Sequence, residues 1–349
     1  MPSNTKLSLQ DLTELEIQEF LGDSVPKFRA NQVYLASRQY KEYKSMNVPA
    51  DIKEKLASNY LDKSVTILEA YFGKEGVEKY LFLLSDNNIV EGVFMPHKYG
   101  NTLCISTQVG CRMGCKFCAS TLNGLVRNLT AGEMLGEVLA TNVRHGGTLK
   151  ERKVTNIVLM GSGEPLDNYD NVVKFLNLVS EPNGIGISPR NISLSTCGLA
   201  DKIRDLADLG LPVVLTISLH ASSDEVRESL MPINKRYKIN EVLNAAKYYF
   251  EKTGRRIIFE YSLIEGQNSS KKEAISLAHL LHGLNAHVNL INLNPVKERK
   301  LSGTDSNTIK EFMETLSKLG ISNTLRHSMG NDIKGACGQL RASYLEKKD

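Results

Sequence analysis

Cys111, Cys115 and Cys118, in the run CRMGCKFC, carry the strongest chemical signal in the chain. Their C-x3-C-x2-C spacing puts three thiolates on one loop. Such a loop can ligate three irons of a [4Fe–4S] cluster and leave the fourth iron open. An open iron can chelate the amino and carboxylate groups of S-adenosylmethionine (SAM). One electron from the cluster then cleaves the sulfonium to a 5′-deoxyadenosyl radical, chemistry that belongs to the cofactor and that the protein positions. The rival is a structural zinc site completed by His97, His145 or another cysteine. The sequence has no second C-x2-C pair near this run, and Phe117 precedes its last cysteine. Both features favour the cluster.

GSGEP, residues 161–165, closes the next strand candidate. Its glycines let backbone amides approach a ligand, and Glu164 can take a cationic amino group. Leu166 stands where a dinucleotide fingerprint needs a third glycine, so that motif is excluded. On its own the segment reads equally well as a tight strand-to-helix turn.

The elements that must hold these loops follow from periodicity. Strand candidates are residues 102–109, 154–161, 191–198, 212–220, 255–264, 287–294 and 323–328, with amphipathic helical stretches between them. Thr130 with Glu133, and Ser222 with Glu225, form capping boxes. Gly210, Gly254 and Gly320 sit where helices should stop. Repeated βα units imply a parallel sheet curled into a barrel, with chemistry at the C-terminal strand ends; a doubly wound open sheet is the structural rival. Residues 1–62 predict a small helical domain, 63–98 a connecting β meander carrying Glu91, and 99–349 the barrel with a further C-terminal strand and loop.

Composition bounds the rest. The 349 residues are 41% hydrophobic and 23% charged, ordinary for a globular protein, and a net charge of +4 permits a phosphate-rich partner without requiring one. The first twenty residues are polar, and no run approaches the roughly 18 apolar residues of a membrane span. A cytoplasmic protein with reduced thiols is expected, so the cysteines read as metal-binding or redox-active. Cys197 reads as a small buried hydrophobe.

The cluster loop, GSGEP and DIKGACGQLR (332–341) together resemble the radical-SAM RNA methyltransferases that modify one adenine of 23S rRNA at the peptidyl-transferase centre. SLMPIN (229–234), ISLHA (217–221) and TGRRI (253–257) extend the likeness over nearly the whole chain. It is greatest to the branch acting at adenine carbon 2, through QVGCRMGCKFCAS, GLVRNLT and HVNLINLNP; a second branch acts at carbon 8 and confers antibiotic resistance. Ser162 departs from the family pattern, which has a bulkier residue there, and Cys197 is an addition to it.

The resemblance implies a partial (βα)6-type radical-SAM barrel. It assigns Cys111, Cys115 and Cys118 to the cluster, and Gly163, Glu164, Ser195, Ser218, Leu219, His220 and Asn294 to SAM. Cys337 would carry the methyl group, Cys104 would resolve the resulting thioether through a transient disulfide, and Glu91 would accept the ring proton. Two SAM molecules per turnover, 23S rRNA, transfer RNA and an electron donor such as a flavodoxin are implied as cofactor and partners, with no DNA and no membrane. A non-catalytic, zinc-stabilised RNA-binding protein is the alternative from another class.

A barrel interior can be reached only by an unpaired or flipped-out base. For RNA contact the helical segment offers Lys27, Arg29, Arg38, Lys41 and Lys44 interleaved with Phe28, Tyr34, Tyr40 and Tyr43. A solvated helix face over a core stripe accounts for the same pattern equally well.

Overall fold

The computed structural model describes residues 6–293 and 301–326. The chain divides into two compact units: residues 1–109, 126–162 and 168–192, and residues 110–125, 163–167 and 193–349.

The first unit opens with three helices, α1 (Glu14–Leu21), α2 (Lys27–Arg38) and α3 (Ala50–Asn59). They close on their own apolar core, which includes Leu9, Ile17, Val33, Tyr34 and Leu56. Thr13 starts α1 with a reciprocal cap, its hydroxyl accepting from Glu16 while the Glu16 carboxylate accepts from the Thr13 N–H. Strands β1 (Val65–Phe72), β2 (Glu78–Leu84), β3 (Ile89–Met95) and β4 (Thr102–Cys104) then run antiparallel, each to the next. A short ribbon follows, β5 (Gln108–Gly110) and β6 (Leu125–Asn128), then α4 (Ala131–Arg144), β7 (Asn156–Leu159) and α5 (Tyr169–Ser180). From β4 to β7 the pairing becomes parallel, because α4 carries the chain back across the sheet.

In the second unit β8 (Ile192–Thr196), α6 (Ala200–Asp208), β9 (Val214–Ser218), α7 (Asp224–Leu230), α8 (Ile239–Thr253), β10 (Ile257–Leu263), α9 (Lys271–Leu281), β11 (Ala286–Asn292), α10 (Ser306–Lys318) and β12 (Asn323–Leu325) follow in turn. The strands lie side by side in chain order, all parallel. A doubly wound sheet needs a reversal of strand order, and neither unit contains one among the described residues. Six βα repeats and a closing strand, counted among the described residues, make the expected (βα)6 succession.

The two faces of the second sheet differ in chemistry. Leu194, Leu215, Ile217, Phe259, Val288 and Leu290 are buried on one face. On the other, the register carries a polar row from Ser218 through Glu260 and Asn289 to Thr324, next to the pair Ser195 and Thr216. Parallel strands covered on both sides are ordinarily apolar throughout; a polar face on such a sheet is where a polar ligand would be held.

Two local expectations are corrected. Residues 102–109 are two strands, because the chain leaves the sheet at Ser106. There the Ser106 N–H donates to Glu137 Oε2 (3.2 Å), its hydroxyl donates to the Glu91 carbonyl (2.8 Å), and the Thr107 and Gln108 N–H groups turn to the Ser162 carbonyl. The cap of α7 is Ser223, one residue later than expected; its hydroxyl accepts from the Val226 N–H, while Ser222 donates to Glu273 instead. The cap by Thr130 and Glu133 forms as expected, and Gly210, Gly254 and Gly320 take the left-handed conformation at helix ends.

Candidate cluster and cofactor site

The cysteine loop is pinched at its root. Gly110 has φ +77°, and a Cβ there would lie 2.0 Å from the Gly124 carbonyl oxygen, so only glycine allows the closure that the Cys111 N–H completes by donating to the same carbonyl at 2.9 Å. Inside the loop the Thr121 hydroxyl donates to the Cys115 and Cys118 carbonyls at 3.1 and 2.9 Å. The Lys116 N–H donates to the Leu230 carbonyl at 2.9 Å, and Arg112 clasps Asp167 through two donors. The loop is thus tied to the end of α7 and to the turn after GSGEP.

None of the three is in a disulfide among the described residues; Cys111 and Cys115 are buried, and Cys118 is half-buried. Burial pushes the Cys111 thiol up to about 12, with the negative charges of Glu164 and Cys118 adding to it. Burial likewise raises Cys115, reinforced by Cys118 and Cys111. Buried in this way, Cys111 and Cys115 need positive charge to become thiolates beside Cys118, and bound iron would supply it. Among the described residues, no three His, Cys, Asp or Glu side chains gather as around a single ion. A cube takes each thiolate on a separate iron and does not require that geometry.

Gly163 (φ +114°) bends the chain into Glu164. The Glu164 carboxylate accepts from the Leu166 N–H at 3.1 Å and from the Cys197 N–H at 2.7 Å, so it ties the GSGEP turn to the end of β8. Burial nevertheless holds its carboxyl above the usual range. A carboxylate has about four lone-pair sites, which leaves it able to accept from a cationic amino group as well. Ser195 and Ser218 stand on the polar sheet face, and the Leu219 N–H donates to the Glu260 carbonyl at 3.1 Å. His220 adopts φ +55°, uncommon for a side-chain-bearing residue. Its Nδ1 accepts from the Ser262 N–H at 2.9 Å, which leaves the ring proton on Nε2. Burial, aided by the charge of Arg227, pushes its pKa down to about 3, and the Phe117 ring packs edge-on against it.

Glu91 and Cys104 belong to the first unit. Cys104 pairs with Val93 across β3 and β4, and Val93 pairs with Lys79 across β2 and β3. Side chains alternate along a strand, so Lys79, Cys104 and Glu91 share one face. There the Lys79 ammonium lies 3.1 Å from the Glu91 carboxylate, with both side chains almost wholly buried. Asn294 and Cys337 lie outside the described residues.

Two residues escaped the motif reading. Lys79 meets Glu91 only through the β2–β3 register; its one signal was a charge within an apolar alternating run. Arg227 is fully buried on α7 and bonds to the ends of β8 and β9, and its signal was spacing with Leu230 on the inward helix face. Cys197 is buried, as expected. In the helical segment Arg38, Tyr34 and Tyr40 are buried and structural: Arg38 donates to the Leu12 carbonyl at 2.7 Å, and Tyr40 to the Val65 carbonyl at 2.6 Å. Lys27, Phe28, Lys41 and Lys44 remain exposed, with the Arg29 guanidinium 4.7 Å from the Phe28 ring centre.

Residues 105–278 match the Radical SAM superfamily, so the cysteine loop and the strand ends after it are those of a radical-SAM protein. Similarity to named relatives extends much further. A Clostridium perfringens (strain 13 / Type A) protein named "Probable dual-specificity RNA methyltransferase RlmN" is 49% identical over 348 residues, 98% of each chain. A protein of the same name from Clostridium botulinum (strain Eklund 17B / Type B) is 50% identical over 327 residues, 92% of each chain. The crystal structure of a radical SAM methyltransferase from Sphaerobacter thermophilus superposes with a TM-score of 0.90 at 40% identity, covering 95% of this chain and 98% of that one. The chain belongs to the RlmN family of radical-SAM RNA methyltransferases. It is therefore an RNA-methylating enzyme, and its family implies a [4Fe–4S] cluster and SAM; the non-catalytic zinc alternative gives way. No helix among the described residues is long and apolar enough to cross a membrane.

Proposed function

We propose that the enzyme methylates carbon 2 of an adenine in 23S rRNA and in transfer RNA, with Cys337 carrying the methyl group. Cys111, Cys115 and Cys118 would hold the cluster. Gly163, Glu164, Ser195, Ser218, Leu219, His220 and Asn294 would hold SAM, two molecules of which are consumed per turnover. When bound, the cluster supplies the electron that cleaves SAM; an external carrier such as a flavodoxin delivers it.

The chain's own residues do the rest. The Cys337 thiolate displaces the sulfide of SAM, forming a sulfur–methyl bond and breaking the sulfonium bond. After hydrogen is removed from that methyl, its carbon joins the adenine ring. The ring then gives one proton to Glu91 and one electron, which the oxidised cluster would take back, and aromaticity is restored. The Cys104 thiolate attacks the Cys337 sulfur: the disulfide forms, the thioether bond breaks, and the released carbon takes a proton to become the product methyl. External thiols reduce the disulfide.

The observation that carries this scheme is the common face of β3 and β4, on which a carboxylate and a thiol sit two positions apart. The Lys79 ammonium keeps Glu91 tethered there. In the helical segment, the exposed Lys27, Phe28, Lys41 and Lys44 fit a phosphate-tracking and base-stacking surface. Nucleoside mass spectrometry of 23S rRNA and tRNA tests the assignment, in a deletion strain with and without this chain. Methyl at carbon 2, restored in both RNAs by the chain, is expected. Methyl at carbon 8 would transfer the protein to the resistance branch, and an unmodified tRNA would restrict it to rRNA.

A further inference from the structure

Among the described residues, Arg227 is buried and its guanidinium makes no direct ion pair with a carboxylate. It is fully inaccessible to solvent, and its guanidinium donates to five acceptors. Nε donates to the Leu219 carbonyl (3.2 Å). Nη1 donates to Asn234 Oδ1 (2.9 Å) and the Tyr237 carbonyl (3.3 Å), and Nη2 to the Cys197 carbonyl (2.6 Å) and the Ser218 carbonyl (3.4 Å). Four of these are backbone carbonyls and one is an amide. Neutral acceptors satisfy the donors but do not cancel the charge, and an uncompensated buried ion is costly. Arginine is also an extravagant choice for joining carbonyls alone, since neutral donors would do so without desolvating a cation.

The cysteine loop that would hold an anionic cluster packs close by. It rests on the turn directly after α7: Lys116 bonds to the Leu230 carbonyl, and Gly114 stands where a Cβ would lie 3.5 Å from the Pro232 ring. Arg227 reaches the Cys197 carbonyl, and the N–H of the same residue bonds to Glu164. Its electrostatic neighbours are the thiols of Cys197 and Cys115, and then Asp224. Three thiolates around a [4Fe–4S] core leave a net negative charge, and one-electron reduction deepens it. Net charge near the cluster is among the terms that set its potential.

We propose that Arg227 is the fixed counter-charge of the cluster, raising its reduction potential while clamping the ends of β8 and β9 in place. This rests on the assignment of Cys111, Cys115 and Cys118 as cluster ligands. Arg227 is a positioning residue, acting through the cluster rather than on RNA.

The test is a redox titration of the anaerobically reconstituted full-length protein with dithionite as one-electron donor, read from the EPR signal of the reduced cluster. Arg227→Met should lower the equilibrium constant for reduction at least about tenfold, or 59 mV for one electron, whereas Arg227→Lys should stay close to the parent. Asp224→Asn should shift it the opposite way. Asp224 Oδ1 accepts from Asn234 Nδ2 and the Ile239 N–H, which an asparagine oxygen can still do, so a negative charge is removed with the bonds kept. A purely structural role for Arg227 predicts no such pair of opposed shifts. An unchanged potential in an iron-loaded Arg227→Met protein overturns the proposal. If that variant does not fold, failure of Asp224→Asn to shift the potential upward overturns it alone. A parent protein without iron, sulfide or an EPR signal would instead defeat the cluster assignment itself.

Discussion

Alanine in place of Cys337 is expected to abolish methyl transfer, by about 10³-fold or more, the scale on which removing a covalent nucleophile acts. Carbon 2 of adenine is an electron-poor, non-acidic C–H centre. The methyl of SAM is itself electrophilic, so direct polar transfer between the two has no driving force. A thiolate must first take the methyl and so change its reactivity. Among the described residues, the bonds that tie the cysteine loop to the ends of β8 and β9 run within residues 110–125, 163–167 and 193–293. The variant should therefore keep wild-type iron, and should still cleave SAM to 5′-deoxyadenosine when reduced. Detectable RNA methylation by Cys337→Ala would reject the carrier role, whereas loss of both activities would assign Cys337 a structural one.

Cys104→Ala should do the reverse and leave the protein bound to its RNA. If Cys104 supplies the resolving thiolate, its loss leaves the proposed thioether between Cys337 and the adenine with no route to break, and a single turnover ends in a covalent adduct. On denaturing gels this would be a slow band that needs SAM and reductant to form and that RNase removes. Cys104 is buried at the end of β4, paired with Val93 and on the same face as Glu91. Alanine fills that site with little rearrangement, and the fold should survive the loss of one sulfur. Free RNA released at the normal rate would mean that another group resolves the link.

Much of this architecture was legible in the sequence because it rests on local signals. Runs such as VVLTISL became β9, and FRANQVYLASR became α2, since β-branched alternation and 3.6-residue periodicity act within a single element. The C-x3-C-x2-C spacing located the cysteine loop for the same reason. What stayed hidden depends on partners distant in the chain. The break after Cys104 comes from Ser162 and Glu137, which no local pattern links to Ser106. The Lys79–Glu91 pair arises from strand register, and the donor fan of Arg227 from three separate segments. Tyr34 and Tyr40 looked like stacking surfaces because charges flank them, yet at helical spacing an aromatic among charges is as often the inward stripe, and here both are buried.

Anaerobic purification followed by iron, sulfide and EPR analysis bears most directly on the whole scheme. The protein should be brown and hold four irons and four sulfides per chain, and on reduction it should give a cluster signal that SAM perturbs through the open iron. Alanine at Cys115 should remove both metal and signal. A colourless, iron-free protein, or a cluster whose signal is indifferent to SAM because a fourth side chain caps it, would contradict the account.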